Sequence, residues 1–277
     1  FDGHGFLADV FRQGALAAVV DRSVEGTEGP LIQVPDTLQA LGDLASAWRM
    51  MLPSRVIGVT GTNGKTTTQA MISWLLAEKG SLVRPPGSFN NHVGLPRTIL
   101  SAPPRTDYLV LELGSNHRGE ISRLSQISRP EFAVLTSVSE GHLEGLGDIS
   151  GVIAEKISIF DHLRAGGIGV VHHDTRILSR MKLSRKKFRT FGLHKDADLR
   201  ATDLQQDPVR FKVEGVPFRL QLLGEWNAEN ALAAISVGLE CGMTLGECSE
   251  RLANFRAPKM RMEPLQLGHF TILNDAY

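Results

Sequence analysis

Apolar residues fall in short blocks along this chain, and within the blocks the spacing switches between strict alternation and a helical rhythm. Over residues 1–52 the pattern predicts a helix at Gly5–Gln13, strands at Ala17–Val20 and Leu31–Val34, and a helix at Thr37–Met51. Pro53 interrupts the pattern, so a domain boundary is expected there. Beyond it come a strand at Arg55–Thr60, a helix at Thr67–Glu78 stopped by Gly80, and strands at Tyr108–Leu113, Phe132–Thr136 and Gly169–Val171. Helices are expected between them, one from Gly119 and one from Ile149 to Phe160. Such alternation predicts a mainly parallel sheet covered by helices. Between about 198 and 223 the blocks shorten to Phe-Lys-Val-Glu-Gly and Val-Pro-Phe-Arg-Leu-Gln-Leu-Leu, turning at Glu214-Gly215, which predicts a small antiparallel patch. Helices at Asn227–Glu240 and Leu245–Asn254 follow, and Phe270–Leu273 is strand-like.

Composition narrows this picture. With 277 residues and 42% hydrophobic content the chain can bury a sizeable core in one large or two unequal domains. Thirty basic side chains balance thirty acidic ones, so overall charge offers no reason to expect nucleic acid or an anionic membrane as a partner. No run approaches the roughly 18 consecutive apolar residues of a membrane span. The expectation is a soluble, cytoplasmic monomer. Cys241 and Cys248 lie apart from any histidine pair and read as buried or part-buried free thiols, not as a disulfide or zinc framework. Because the sequence starts at Phe1 and stops at Tyr277 beside a strand-like run, it reads as a piece of a longer protein.

The densest chemistry lies in Val56-Ile57-Gly58-Val59-Thr60-Gly61-Thr62-Asn63-Gly64-Lys65-Thr66-Thr67, an apolar strand running into a glycine-rich loop and then a helix. Glycines let successive backbone N–H groups turn inward around an anion, and the helix adds the positive end of its dipole. Gly61, Thr62, Asn63, Gly64, Lys65, Thr66 and Thr67 are therefore candidate nucleotide-binding residues, with Lys65 reaching the β- and γ-phosphates and the Thr66 hydroxyl on Mg²⁺. The common form of this loop has glycine where Val59 stands, so this is a variant. The bland alternative is a strand-to-helix turn with a solvated lysine.

Other constellations stand at predicted strand ends and helix starts. Leu111-Glu112-Leu113-Gly114-Ser115-Asn116-His117 puts a carboxylate where ligands gather in open α/β sheets, and a hard Mg²⁺ ion suits it; a strand-end surface charge is the alternative. Gly87-Ser88-Phe89-Asn90-Asn91-His92-Val93-Gly94-Leu95-Pro96 offers paired amide donors and acceptors without charge, although asparagines near glycine are ordinary turn residues. Gly141-His142-Leu143-Glu144-Gly145, Lys156 within Ile153–Phe160, Gly224-Glu225-Trp226-Asn227-Ala228-Glu229-Asn230, Arg261 and Asn274-Asp275-Ala276-Tyr277 complete the set. His172-His173-Asp174 reads as a strand end and helix cap, since adjacent strand side chains point to opposite faces. The basic run Lys182–Arg189 reads as a solvated connection.

Together these motifs resemble the dipeptide-adding branch of the Mur ligase family, over nearly the whole chain. The resemblance implies an α/β protein: a P-loop central domain, 54–277, with a mainly parallel sheet flanked by helices and a small antiparallel patch, preceded by a partial small α/β domain, 1–53. The first would be the ATP-binding domain, the second part of a UDP-sugar-binding domain; the family's C-terminal ligase domain has no counterpart here. It further implies an ATP-dependent ligase that joins D-alanyl-D-alanine to UDP-N-acetylmuramoyl-tripeptide through an acyl phosphate. Two Mg²⁺ sites are implied, with Thr66, Glu112, His142 and Lys156 around them and Lys65, His142 and Lys156 in catalysis. Lys156 matches a lysine that becomes carbamylated, although Ile157 and Ser158 replace the glycine and glutamate frequent beside it. Asn227 would meet the adenine edge, Arg261 the nucleotide phosphate and Asp275 the ribose; Trp226 stands where histidine is usual. Ser88, Asn90 and Asn91 would grip the UDP-sugar peptide. A sibling ligase that adds one amino acid, including a folylpolyglutamate-type enzyme, and a non-catalytic nucleotide-binding module are the alternatives.

Overall fold

The computed structural model describes residues 2–141, 143–181, 187–261 and 263–276. A 3₁₀ turn, Gly3–Phe6, leads into α1 (Leu7–Arg12); β1 (Ala18–Val20) and β2 (Leu31–Gln33) pair in parallel; α2 (Thr37–Met51) follows. Its start is set by Asp36, whose carboxylate accepts from the Leu38 and Gln39 amides at 2.8 and 3.0 Å, satisfying N–H groups that the helix itself cannot. Next come β3 (Arg55–Thr60), α3 (Lys65–Leu76), β4 (Leu82–Val83), α4 (Gly94–Leu100), β5 (Tyr108–Glu112), α5 (Glu120–Ser128) and β6 (Phe132–Leu135). The short α6 (Leu143–Leu146), α7 (Ile149–Ile157), β7 (Ile168–His172), α8 (Thr175–Leu178), β8 (Lys187–Gly192) and β9 (Leu199–Arg200) continue the pattern.

β3 to β9 form one sheet in the order β4-β5-β3-β6-β7-β8-β9, with parallel pairings throughout. Strands buried on both faces read as unbroken apolar runs, which is why β5 and β6 are buried at every position. The side chains divide by parity. Ile57, Val59, Val110, Val134 and Val170 join Met71, Ile72 and Leu75 of α3 in one core. Val56, Leu109, Leu111, Ala133 and Leu135 join residues of α2, α4, α5 and α7 in the other. From β3 the chain crosses to the edge strand β4, returns to β5 beside β3, and then passes to β6 on the other side, so the crevice beside β3 is the topological switch point.

The antiparallel patch is three-stranded: β10 (Thr202–Gln206), β11 (Val209–Val213) and β12 (Val216–Arg219). Glu214 and Gly215 both take positive φ, 47° and 84°, as a tight two-residue hairpin turn requires. α9 (Trp226–Glu240) crosses the first core, α10 (Leu245–Ala253) carries a Thr244/Glu247 capping box, and β13 (Glu263–Leu267) and β14 (Phe270–Asn274) form a terminal hairpin.

Several elements differ from the expectation. α3 begins at Lys65, two residues early, so Lys65 and Thr66 stand in its first turn. α4 emerges from the tandem-asparagine loop because Asn91 Oδ1 accepts from the Val93 and Gly94 amides at 3.1 and 2.9 Å. Lys187 and Arg189 lie on strand β8 and reach Glu240 of α9 at 4.0 and 3.0 Å, where a solvated connection was expected; residues 182–186 lie outside the described residues. α2, which precedes Pro53, packs on α4 and α5, two of the helices that cover the large sheet: Ala45 is fully buried, and Trp48 Nε1 and Arg49 Nε donate to the Ala102 and Ser128 carbonyls at 3.1 and 3.0 Å. Cys248 is buried and Cys241 part-buried, both as free thiols, as expected.

Candidate active site

β3 ends at the switch point, and the turn into α3 can be made only by glycine at two places. Gly61 has φ of 150° and Gly64 of 80°; a Cβ on the first would strike Thr136 Oγ1 and on the second Asn230 Oδ1. The loop is held by the segment after β6. Thr62 N donates to Ser137 O at 2.8 Å, Asn63 N to Ser137 Oγ at 3.2 Å, and Thr136 Oγ1 to Asn63 O at 2.6 Å. Lys65 Nζ curls back to donate to the Gly61 and Thr62 carbonyls, both at 3.0 Å. Burial drives the Lys65 pKa below the ordinary lysine value, Glu112 pulls it up and Arg261 pushes it down.

Glu112, the last residue of β5, is only 2% exposed. Thr66 Oγ1 donates to its Oε2 and Asn90 Nδ2 to its Oε1, both at 2.8 Å, while Arg261 Nη2 approaches Thr66 Oγ1 at 3.3 Å. A buried carboxylate beside a hydroxyl, at the mouth of an anion-binding loop, is a donor set for Mg²⁺. Among the described residues no three His, Cys, Asp or Glu side chains converge on a metal position, so the protein oxygens at this point are those of Glu112 and Thr66.

Lys156 of α7 is also 2% exposed, and its Nζ donates to Ser115 Oγ at 2.8 Å. Burial and the nearby Lys65 charge lower its pKa to about 8, against the opposing pull of Glu155 and Glu120. Glu155 accepts from the Gly119 and Ile121 amides at 2.7 and 2.8 Å, and Glu120 from the Asn116 and His117 amides at 2.7 and 3.1 Å. The turn from β5 to α5 is thereby fixed from both sides.

Three adjoining cavities run across these groups. The first, about 480 Å³, is lined by Gly64, Leu222, Trp226, Asn227, Arg261 and Asp275, among others. In its wall Thr68 Oγ1 donates to Asn230 Oδ1 and Asn230 Nδ2 to Asn227 Oδ1, each at 3.2 Å, while Asn227 Nδ2 donates to Leu223 O at 2.8 Å. The second, about 510 Å³, contains Lys65, Thr66, Ser88, Asn90, Glu112 and Arg261. The third, about 480 Å³, shares Lys65 and Asn90 with the second and adds Asn91, Ser115, Arg118 and Glu120. Of the residues singled out from the sequence, Thr62–Thr67, Ser88, Asn90, Asn91, Glu112, Asn227, Arg261 and Asp275 appear among or beside these linings. Lys156 joins through Ser115. His142 lies outside the described residues. His172 and Asp174 serve local structure, His172 pairing with Glu229 at 2.8 Å and Asp174 accepting from the Arg176 amide at 2.8 Å. Ser115, Arg118 and Glu120 were not singled out, although they follow Glu112 closely; their exposure to the cavity depends on how the β5–α5 turn folds.

A parallel sheet with this loop at its switch point defines a P-loop nucleotide-binding α/β protein. The chain belongs to the Mur ligase family: the model of the Mur ligase middle domain matches residues 59–238. It is 36% identical to the UDP-N-acetylmuramoyl-tripeptide–D-alanyl-D-alanine ligase of Bacillus subtilis (strain 168) and 34% identical to that of Escherichia coli (strain K12), over the whole chain in both cases. It spans 62% and 63% of those relatives' lengths. Among solved structures, MurF from Acinetobacter baumannii superposes with a TM-score of 0.91 at 29% identity, covering the whole chain and 62% of the other. The MurF ligase of Thermotoga maritima in complex with ADP gives 0.89 at 28%, covering the whole chain and 66% of the other.

Proposed function

We propose that the chain is the nucleotide-binding core of an ATP-dependent ligase that adds D-alanyl-D-alanine to the C-terminal carboxylate of UDP-N-acetylmuramoyl-tripeptide, in peptidoglycan precursor synthesis. The observation that carries this reading is Glu112, which lines the second cavity and is held by Thr66 and by Asn90, a residue the second cavity shares with the third. The first cavity takes adenosine, with Asn227 toward the base and Asp275 toward the ribose. The second takes the phosphates, gripped by the loop amides, Lys65 and Arg261. The third takes the peptide end that is to be activated. A carboxylate oxygen of the peptide attacks the γ-phosphorus and ADP leaves; the dipeptide amine then attacks the acyl carbon, phosphate leaves and the amine loses a proton. Positioning and charge neutralisation dominate such phosphoryl transfer.

Mg²⁺, when bound, neutralises the phosphate oxygens and orients them. Thr66 and Glu112 would hold one ion, and Lys156 as a carbamate, with His142, a second. Support for the carbamate is the burial of Lys156 and its pKa near 8, which leaves far more neutral amine to react with CO₂ than an exposed lysine has. We assign residues 54–277 to the ATP-binding domain and 1–53 to part of a UDP-sugar-binding domain, whose α2 packs against α4 and α5 of the first. ATP and a nucleotide-sugar substrate point to the cytoplasm, and no helix among the described residues is long and apolar enough to cross a membrane.

The test is phosphate release by the protein in its full reading frame, with ATP, Mg²⁺ and UDP-N-acetylmuramoyl-tripeptide. Release that depends on D-alanyl-D-alanine is expected. Release with a single amino acid instead would move the chain to a sibling ligase, and none with any acceptor would leave nucleotide binding alone.

A further inference from the structure

The tandem asparagines divide their labour. Asn91 is spent on starting α4, through the Val93 and Gly94 amides. Asn90 turns the other way and donates to Glu112 Oε1, while Thr66 donates to Oε2, so the two carboxylate oxygens are held by side chains from two separate segments. A carboxylate gripped at both oxygens cannot rotate about its last bond.

Asn90 is itself pinned. Its carbonyl accepts from the Gly114 amide at 2.8 Å, and its side-chain amide fills the space in front of Gly114. A Cβ on Gly114 would stand 2.7 to 2.9 Å from Asn90 Cγ, Nδ2 and Oδ1, closer than packing allows. Glycine at 114 is therefore what lets the amide reach the carboxylate. Asn90 also lines both the second and the third cavity, so one side chain of the 87–94 loop faces the peptide side and the metal side together.

We propose that Asn90 is a positioning residue for the divalent cation: it sets the Glu112 carboxylate through its amide, in place of gripping the UDP-sugar peptide. The inference rests on Glu112 as the metal ligand. Groups that orient a ligand in this way typically contribute 10- to 100-fold to metal affinity.

The test measures binding, in the full reading frame, as the Mg²⁺ concentration giving half-maximal ADP affinity by calorimetry, with ADP alone in EDTA as the baseline. Asn90→Ala is expected to raise that concentration by roughly tenfold or more and to leave the EDTA baseline where it was. Gly114→Ala keeps every hydrogen-bonding group but pushes the amide away, so it should shift the Mg²⁺ dependence in the same direction; it also serves if Asn90→Ala does not fold. Glu112→Gln separates the two levels of the argument. If Glu112→Gln leaves the Mg²⁺ dependence unchanged, the metal-ligand reading itself falls. If Glu112→Gln shifts it while Asn90→Ala and Gly114→Ala do not, or if they alter only the KM of the nucleotide-sugar peptide, Asn90 is a substrate contact and the proposal is overturned.

Discussion

Gly64→Ala tests the geometry of the phosphate loop in two separable parts. At φ of 80° an alanine sits in the left-handed region, at a cost of roughly 1–2 kcal/mol. Its Cβ would also collide with Asn230 Oδ1, forcing that side chain to turn and surrender its bonds to Thr68 and Asn227. Two hydrogen bonds at about 0.5–1.5 kcal/mol each bring the total to about 2–5 kcal/mol. Gly215→Ala is the reference, since Gly215 has φ of 84° but nothing within 4 Å of a built Cβ; it should show the backbone cost alone. Urea unfolding of both variants, read at constant slope, gives the difference. Nucleotide affinity should fall at least tenfold in Gly64→Ala and stay unchanged in Gly215→Ala. In an Asn230→Ala background the collision is gone, so the cost of Gly64→Ala should shrink toward that of Gly215→Ala. Equal costs for the two glycine variants, or full additivity with Asn230→Ala, would refute the packing argument.

Two further outcomes follow from single side chains. Lys156 has a folded pKa of about 8 against an ordinary 10.5, so between those values the unfolded chain binds more protons and stability rises with pH. In CO₂-free buffer Lys156→Met should therefore be more stable relative to the parent at pH 7 than at pH 10, and a gap that is the same at both would contradict the burial reading. Trp226 is 52% exposed in the wall of the first cavity, its indole lying against Gly224, so ADP should quench its fluorescence by stacking. With Trp48 and Trp74 replaced by phenylalanine, an unchanged emission on saturation with ADP would show that the ring only fills the wall.

Much of this could be read along the chain because local rules agree with the final structure. α2 has the predicted bounds since Asp36 caps one end and Pro53 follows the other. β3, β5 and β6 announce themselves as unbroken apolar runs, and Glu112 is conspicuous as the carboxylate that ends one. α4 was hidden because Gly94 and Pro96 resemble turn residues, although Pro in a first helical turn gives up only an amide that has no helical partner. β8 was hidden by its basic residues, whose charge is answered by Glu240 far along the chain. The contacts that organise the site join residues distant in sequence: Asn90 with Glu112, Thr66 with Glu112, Ser115 with Lys156. They depend on β5 lying beside β3, an order that periodicity does not encode.

The central claim is that a peptide carboxylate is phosphorylated beside Glu112 before the amide forms. It is tested most directly by labelling the terminal carboxylate of UDP-N-acetylmuramoyl-tripeptide with ¹⁸O, running the protein in its full reading frame with ATP, Mg²⁺ and D-alanyl-D-alanine, and weighing the released phosphate by mass spectrometry. One labelled oxygen in each phosphate formed is the predicted result; unlabelled phosphate accompanying amide formation would contradict the account.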